Sequence, residues 1–103
     1  MNKLPEDIES FVHKAFSSNE HSMALNLLAS ARSHDGREPS PRLLRCAAVA
    51  GRRSLNDLKC QVEGLAIDFR DVVLAAEYIR RKGEWVRVLD FSDPIPIDFP
   101  SSA

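Results

Sequence analysis

Residues 40–82 read SPRLLRCAAVAGRRSLNDLKCQVEGLAIDFRDVVLAAEYIRRK, three helical segments in succession with almost no connecting sequence. Ser40 before Pro41 is a helix start, because the serine oxygen accepts an orphan N–H of the first turn and proline at the first position has none to leave unpaired. Leu43, Leu44, Ala47 and Ala48 then point inward, and Gly51 is the expected stop. Ser54, with Asp57 three residues on, starts the next helix, in which Leu55, Leu58, Val62, Leu65 and Ala66 recur at three- and four-residue spacing. Asp68 caps the last, with Phe69, Val72, Val73 and Ala76 facing inward and Ile79 or the Arg80 stem continuing the stripe. Lys82-Gly83 is its expected end, which places cations at the negative end of the helix dipole.

Upstream, Pro5 with Glu6, Asp7 and Glu9 opens a first helix, and Ile8, Phe11, Val12, Ala15 and Phe16 form one apolar face. Ser17 and Glu20 make a capping box for a second helix that buries Ala24, Leu27, Leu28 and Ala31, with Met23 at its edge. These two helices form a hairpin over residues 5–32. Residues 33–41 are turn chemistry, one glycine and two prolines, and separate the hairpin from the three-helix block 42–82. Downstream, residues 84–91 alternate apolar and charged and read as a short extended segment. One strand alone leaves its edges unpaired, so this segment either crosses the helices as irregular chain or pairs with a second copy or a partner. Residues 92–103 hold Pro94, Pro96 and Pro100 and read as an extended or mobile tail. The expected architecture is thus all-α: a single domain over residues 1–91 of four to five short helices, followed by a Pro-containing C-terminal segment.

A length of 103 residues and an apolar fraction of 44% suit one core and no second. The formal charge is -1, so nothing pulls the whole chain toward nucleic acid or an anionic membrane. The charge is nevertheless polarised: Arg42, Arg45, Arg52 and Arg53 lie in a stretch without acids, whereas the end from Leu89 holds Asp90, Asp93 and Asp98 and no base. No segment approaches the roughly 18 apolar residues of a membrane span, and no secretory apolar run opens the chain. A cytoplasmic, non-membrane protein is expected.

Cys46 and Cys60 lack metal-ligand spacing with His13, His21 or His34 and read as small core hydrophobes rather than ligands. Asp68 and Asp71 read as cap and first turn, and Glu77 and Tyr78 as residues facing solvent or a groove. No paired carboxylates, glycine-rich phosphate loop or nucleophile with a base is present. Neither an enzyme nor a cofactor or metal is therefore expected.

Two binding surfaces are. The end of the chain is apolar, and Trp85, Phe91, Ile95, Ile97 and Phe99 are candidates for contact with another protein or a second copy. On a helical wheel Arg42 and Arg45 share a face opposite Leu44, Ala47 and Ala48, Arg52 and Arg53 follow, and Arg80, Arg81 and Lys82 form a second cluster. Merged, these arginines would bind nucleic acid or another polyanion. A helix-turn-helix is disfavoured: Ala47 and Gly51 suit its turn, but Asp57 stands where an apolar residue belongs and Lys59 is the only cation early in the second helix. A protein-interaction or regulatory module is the leading expectation, polyanion binding the alternative and an enzyme of unknown type a minor third.

The run Arg45-Cys46-Ala47-Ala48, Gly51, Leu55, Leu58, Val62 to Ala66, Asp68 to Val73 and Ala75-Ala76-Glu77-Tyr78 resembles a group of small uncharacterised bacterial helical proteins. The resemblance implies a helix, a glycine turn, a helix and an aromatic-Arg-Asp-Val helix ending in Ala-Glu-Tyr, in a bacterial protein. No activity or site residue comes with it. Arg52-Arg53 and the Pro-rich end depart from the group's pattern.

Overall fold

The computed structural model describes residues 4–96. Five helices and one β-hairpin follow in order: α1 (Glu6–Ala15), a 3-10 turn (Ser18–Glu20), α2 (His21–Ala29), α3 (Pro41–Ala50), α4 (Leu55–Ile67), α5 (Phe69–Glu77), β1 (Tyr78–Arg81) and β2 (Glu84–Arg87). The molecule is mostly helical but not purely so, and the two-stranded antiparallel sheet corrects the all-α expectation.

The helix starts form as the sequence specifies. Ser40, Ser54 and Asp68 each accept a backbone N–H of the first turn, from Leu43, Asp57 and Arg70 respectively. Ser17 differs: its hydroxyl donates to Asn19 and Glu20 side chains, and a 3-10 turn precedes α2. In α3, Arg45 to Val49 are five consecutive buried residues, so this helix is enclosed on every side. It packs against α1, α4 and α5 and is the centre of the fold. Gly51 ends it, though not in the left-handed conformation expected of a glycine stop, since its φ is -99°. A Cβ there would lie 2.4 Å from the Leu58 Cα, so glycine is required for α4 to cross α3 backbone to backbone.

The core joins Ile8, Phe11, Val12 and Phe16 to Ala24 and Leu28, to Cys46–Val49, and to Leu58, Val62, Leu65 and Val72. Leu27, Leu44 and Val73 are only half-buried. Phe69, expected inside, is 47% exposed because it opens α5 at the α4–α5 corner, where neither helix covers it.

The largest departure is at the end of α5, which stops at Glu77 rather than Lys82. Tyr78 and Ile79 favour a strand, and Lys82 and Gly83 both have positive φ, 52° and 81°, as the two central residues of a tight hairpin turn require. The register pairs Tyr78 with Arg87, Ile79 with Val86, Arg80 with Trp85 and Arg81 with Glu84. The extended segment from Glu84 therefore finds its partner strand in its own chain. Val88 and Leu89 then return to the end of α5, both amides donating to the Glu77 carbonyl. Phe91 and Ile95 are buried, 1% and 5% exposed, so the chain beyond Ser92 is packed on the domain at least to Ile95 instead of leaving it at Ser92. Ile97, Asp98, Phe99 and Pro100 lie outside the described residues.

Candidate functional site

The arginine face expected on α3 is not a surface. Enclosure of the helix by the C-terminal segment turns Arg45 inward, where its Nε donates to Asp7 Oδ2 at 2.8 Å and its Nη1 to the Phe91 carbonyl at 3.2 Å. Ile95 N–H donates to the same Asp7 oxygen at 3.0 Å. One buried guanidinium and one carboxylate thus tie α1, α3 and residues 91–95 together. Burial raises the Asp7 pKa, but the Arg45 bond, the Ile95 amide and the Arg45 charge outweigh it, and the net shift is downward.

Arg42 is likewise engaged. Its Nη2 and Nε donate to Glu77 Oε1 and Oε2 at 2.7 and 3.1 Å. Glu77, at the C-terminus of α5, is fully buried and also accepts from Arg87 Nη2 at 3.0 Å, the Phe91 amide at 2.9 Å and the Cys46 thiol at 3.6 Å. Burial pushes its pKa up, yet the Arg42 bond, the Phe91 amide and the charges of Arg42 and Arg87 bring it below the usual carboxylate range. With every lone pair taken, the carboxylate has no free position for proton transfer. Burial first, and then Glu77, push the Cys46 thiol up to about 12, so it stays protonated and unreactive. Cys60, expected in the core, is exposed on α4.

Glu77 and Asp7 are the organising residues that the sequence reading passed over. A signal for Glu77 was present: it follows Val73 by four residues and sits next to Ala76, on the inward side of α5. Asp7, one residue before Ile8, shows in the sequence only as a charge suited to the helix dipole.

The remaining basic candidates differ in setting. Arg42 lies in the first turn of α3 and Arg52 in the turn after its end at Ala50. Arg52 is half-buried and donates to the Val49 carbonyl at 2.7 Å, and Arg53 is exposed beyond the helix end. Arg80, Arg81 and Lys82 are exposed at the far end of the hairpin. The apolar candidates divide in the same way. Phe91 and Ile95 belong to the core, while Trp85 is 54% exposed on β2, with the Arg80 guanidinium 6.0 Å from its ring centre. The hairpin is thus where an exposed member of each candidate set meets the other.

Several grooves open on the helical body. One of about 670 Å³ runs between α2 and α4, lined by Met23, Leu27 and Leu55 with Asn26, Asn56 and Lys59. A smaller one of about 380 Å³ lies between α3 and α5, lined by Arg42, Leu43, Phe69, Arg70, Val73 and Tyr78, and leads onto the hairpin through Tyr78. Among the described residues no three His, Cys, Asp or Glu side chains gather to hold a metal ion, and no helix is long and apolar enough to cross a membrane. No protein-family model, curated protein or solved structure matches the chain.

Proposed function

We propose that the chain is a small non-catalytic interaction module whose contact surface is the β1–β2 hairpin. The observation that carries this reading is the coincidence of Trp85 with Arg80, Arg81 and Lys82 on one exposed two-stranded arm, built on a body in which Arg42 and Arg45 are held by Glu77 and Asp7. Ile79 and Val88 add exposed apolar surface to the same arm, 39% and 44% exposed. A two-stranded arm also leaves the outer edge of each strand unpaired within its sheet, so backbone donors and acceptors are on offer beside those side chains. The reactive side chains of the body support a non-catalytic role: Glu77 is saturated by donors and Cys46 is a neutral buried thiol. A cytoplasmic setting belongs to the same proposal and is supported by two free cysteines.

The test is site-specific photo-crosslinking in living cells, with the reactive residue placed at Ile79 in one variant and at Lys59, beside the α2–α4 groove, in another. Adducts should form from position 79 and be absent from position 59. Adducts from position 59 alone would move the contact surface to the helical body and overturn the proposal.

A further inference from the structure

The hairpin has two faces, and they differ in chemistry. The register places Tyr78, Arg80, Trp85 and Arg87 on one face and Ile79, Arg81, Glu84 and Val86 on the other. The first alternates aromatic and cationic side chains: Tyr78 lies opposite Arg87, and Arg80 opposite Trp85. Tyr78 and Trp85 are diagonal neighbours across the strands, roughly 7–8 Å apart. Through Tyr78 this face continues into the α3–α5 groove, which adds Phe69 and Arg70. Phe69 is half-exposed at the groove, although a large aromatic side chain is stabilised by burial, and Trp85 is equally uncovered.

The cations of this surface fall into two groups. Arg42, Arg70 and Arg87 are held by Glu77, Asp68 and Asp90, which fixes their positions and neutralises most of their charge. None of the ion pairs among the described residues involves Arg80, Arg81 or Lys82; Arg81 lies opposite Glu84 on the other face, which leaves Arg80 and Lys82 as the unpaired cations nearest the exposed tryptophan. Exposed rings interleaved with unpaired cations suit a ligand that offers flat π-faces and a run of negative charge together. An apolar protein strand supplies neither, and a base-paired duplex hides its base faces.

Resting on the reading of the hairpin as the contact surface, we propose that the Tyr78–Arg80–Trp85–Arg87 face binds single-stranded nucleic acid. Trp85 and Tyr78 accept stacked bases, Phe69 extends the platform into the groove, and Arg80, with Lys82 at the turn, meets the phosphates. Two phosphate contacts on a single strand give a dependence of log K on log salt of about −1.4, and so a roughly sevenfold loss of affinity between 50 and 200 mM salt.

The experiment titrates the full chain with a fluorescein-labelled twelve-nucleotide oligothymidine, following both anisotropy and the emission of the only tryptophan. Binding should quench Trp85 and show the stated salt slope. Trp85→Ala should weaken binding by between about fivefold and a hundredfold, the range for removal of one base–aromatic stack. Arg80→Gln/Lys82→Asn should bring the salt slope close to zero. These side chains are exposed, and asparagine tolerates the positive φ at position 82, so circular dichroism should show both variants folded. Equal affinity for a duplex of the same length, equal affinity for a polyglutamate peptide, or oligothymidine binding that neither variant changes would each overturn the inference. Absence of oligothymidine binding, with only protein adducts from position 79, would overturn it as well and leave the hairpin standing as a protein contact. Photo-adducts confined to position 59 would remove the underlying reading itself.

Discussion

At the scale of single residues the structure turns on two carboxylates. Glu77 and Asp7 each accept from a guanidinium and from a backbone amide of the C-terminal segment, Phe91 in one case and Ile95 in the other. A carboxylate buried without such partners would be strongly unfavourable, and removing one member of a buried pair costs about 3–5 kcal/mol because the other is left uncompensated. Glu77→Gln should therefore lower stability by about 3 kcal/mol, discounted toward 2 because Arg42 and Arg87 keep part of their hydration. Both carboxylates also have a folded pKa below their ordinary values of 4.5 and 3.8. A depressed folded pKa means that the unfolded chain takes up protons first as the pH falls. The stability these groups contribute is thus complete above the unfolded value and is lost as pH drops through the folded one. Thermal midpoints measured from pH 7 to pH 3 should fall steeply for the natural chain below about pH 4.5. In Glu77→Gln they should start lower and fall less. Parallel curves would show that Glu77 is not the titrating group.

At the scale of elements, the helix starts were legible because a cap is local: Ser40, Ser54 and Asp68 need only the next three residues to do their work. The end of α5 was not. Lys82-Gly83 serves equally well as a helix terminus with cations at the dipole and as a two-residue hairpin turn, and Ile79 continues the apolar helical spacing. The choice is made by Glu84 to Arg87, which satisfy the β1 ladder only if β1 is a strand. Arg42 and Arg45 misled for a similar reason. A wheel separates polar from apolar faces, but it cannot tell that residues 88–96 will cover the polar one. The same segment supplies a contrast between two aromatic residues. Phe91 is fully buried, and Phe91→Ala should cost about 3–5 kcal/mol in urea denaturation. Phe69 is half-exposed, and Phe69→Ala should cost under about 1 kcal/mol. Similar losses at both positions would show that α5 is rotated from the position described.

At the scale of the whole molecule, the chain is a helical body around α3 with a β-hairpin arm, and the two buried carboxylates fasten the arm's base and the following turn to that body. This arrangement accounts for a net charge of -1 alongside a locally cationic surface. The arginines within α3 are neutralised by Asp7 and Glu77, whereas Arg80 and Lys82 at the hairpin tip are in no ion pair among the described residues. It also relocates the interaction surface expected at the chain's end, because Phe91 and Ile95 belong to the core and Trp85 does not. The central claim is that residues 88–96 are part of the folded unit and not an appendage to it. Native-state amide hydrogen exchange tests this directly at Phe91 and Ile95, whose N–H groups donate to Glu77 and Asp7. Both amides should exchange only through the global opening that also exposes the amide of Val62 in the middle of α4, with protection free energies within about 1 kcal/mol of that residue. Exchange of Phe91 and Ile95 at the rate of an unfolded peptide while Val62 stays protected would contradict the account.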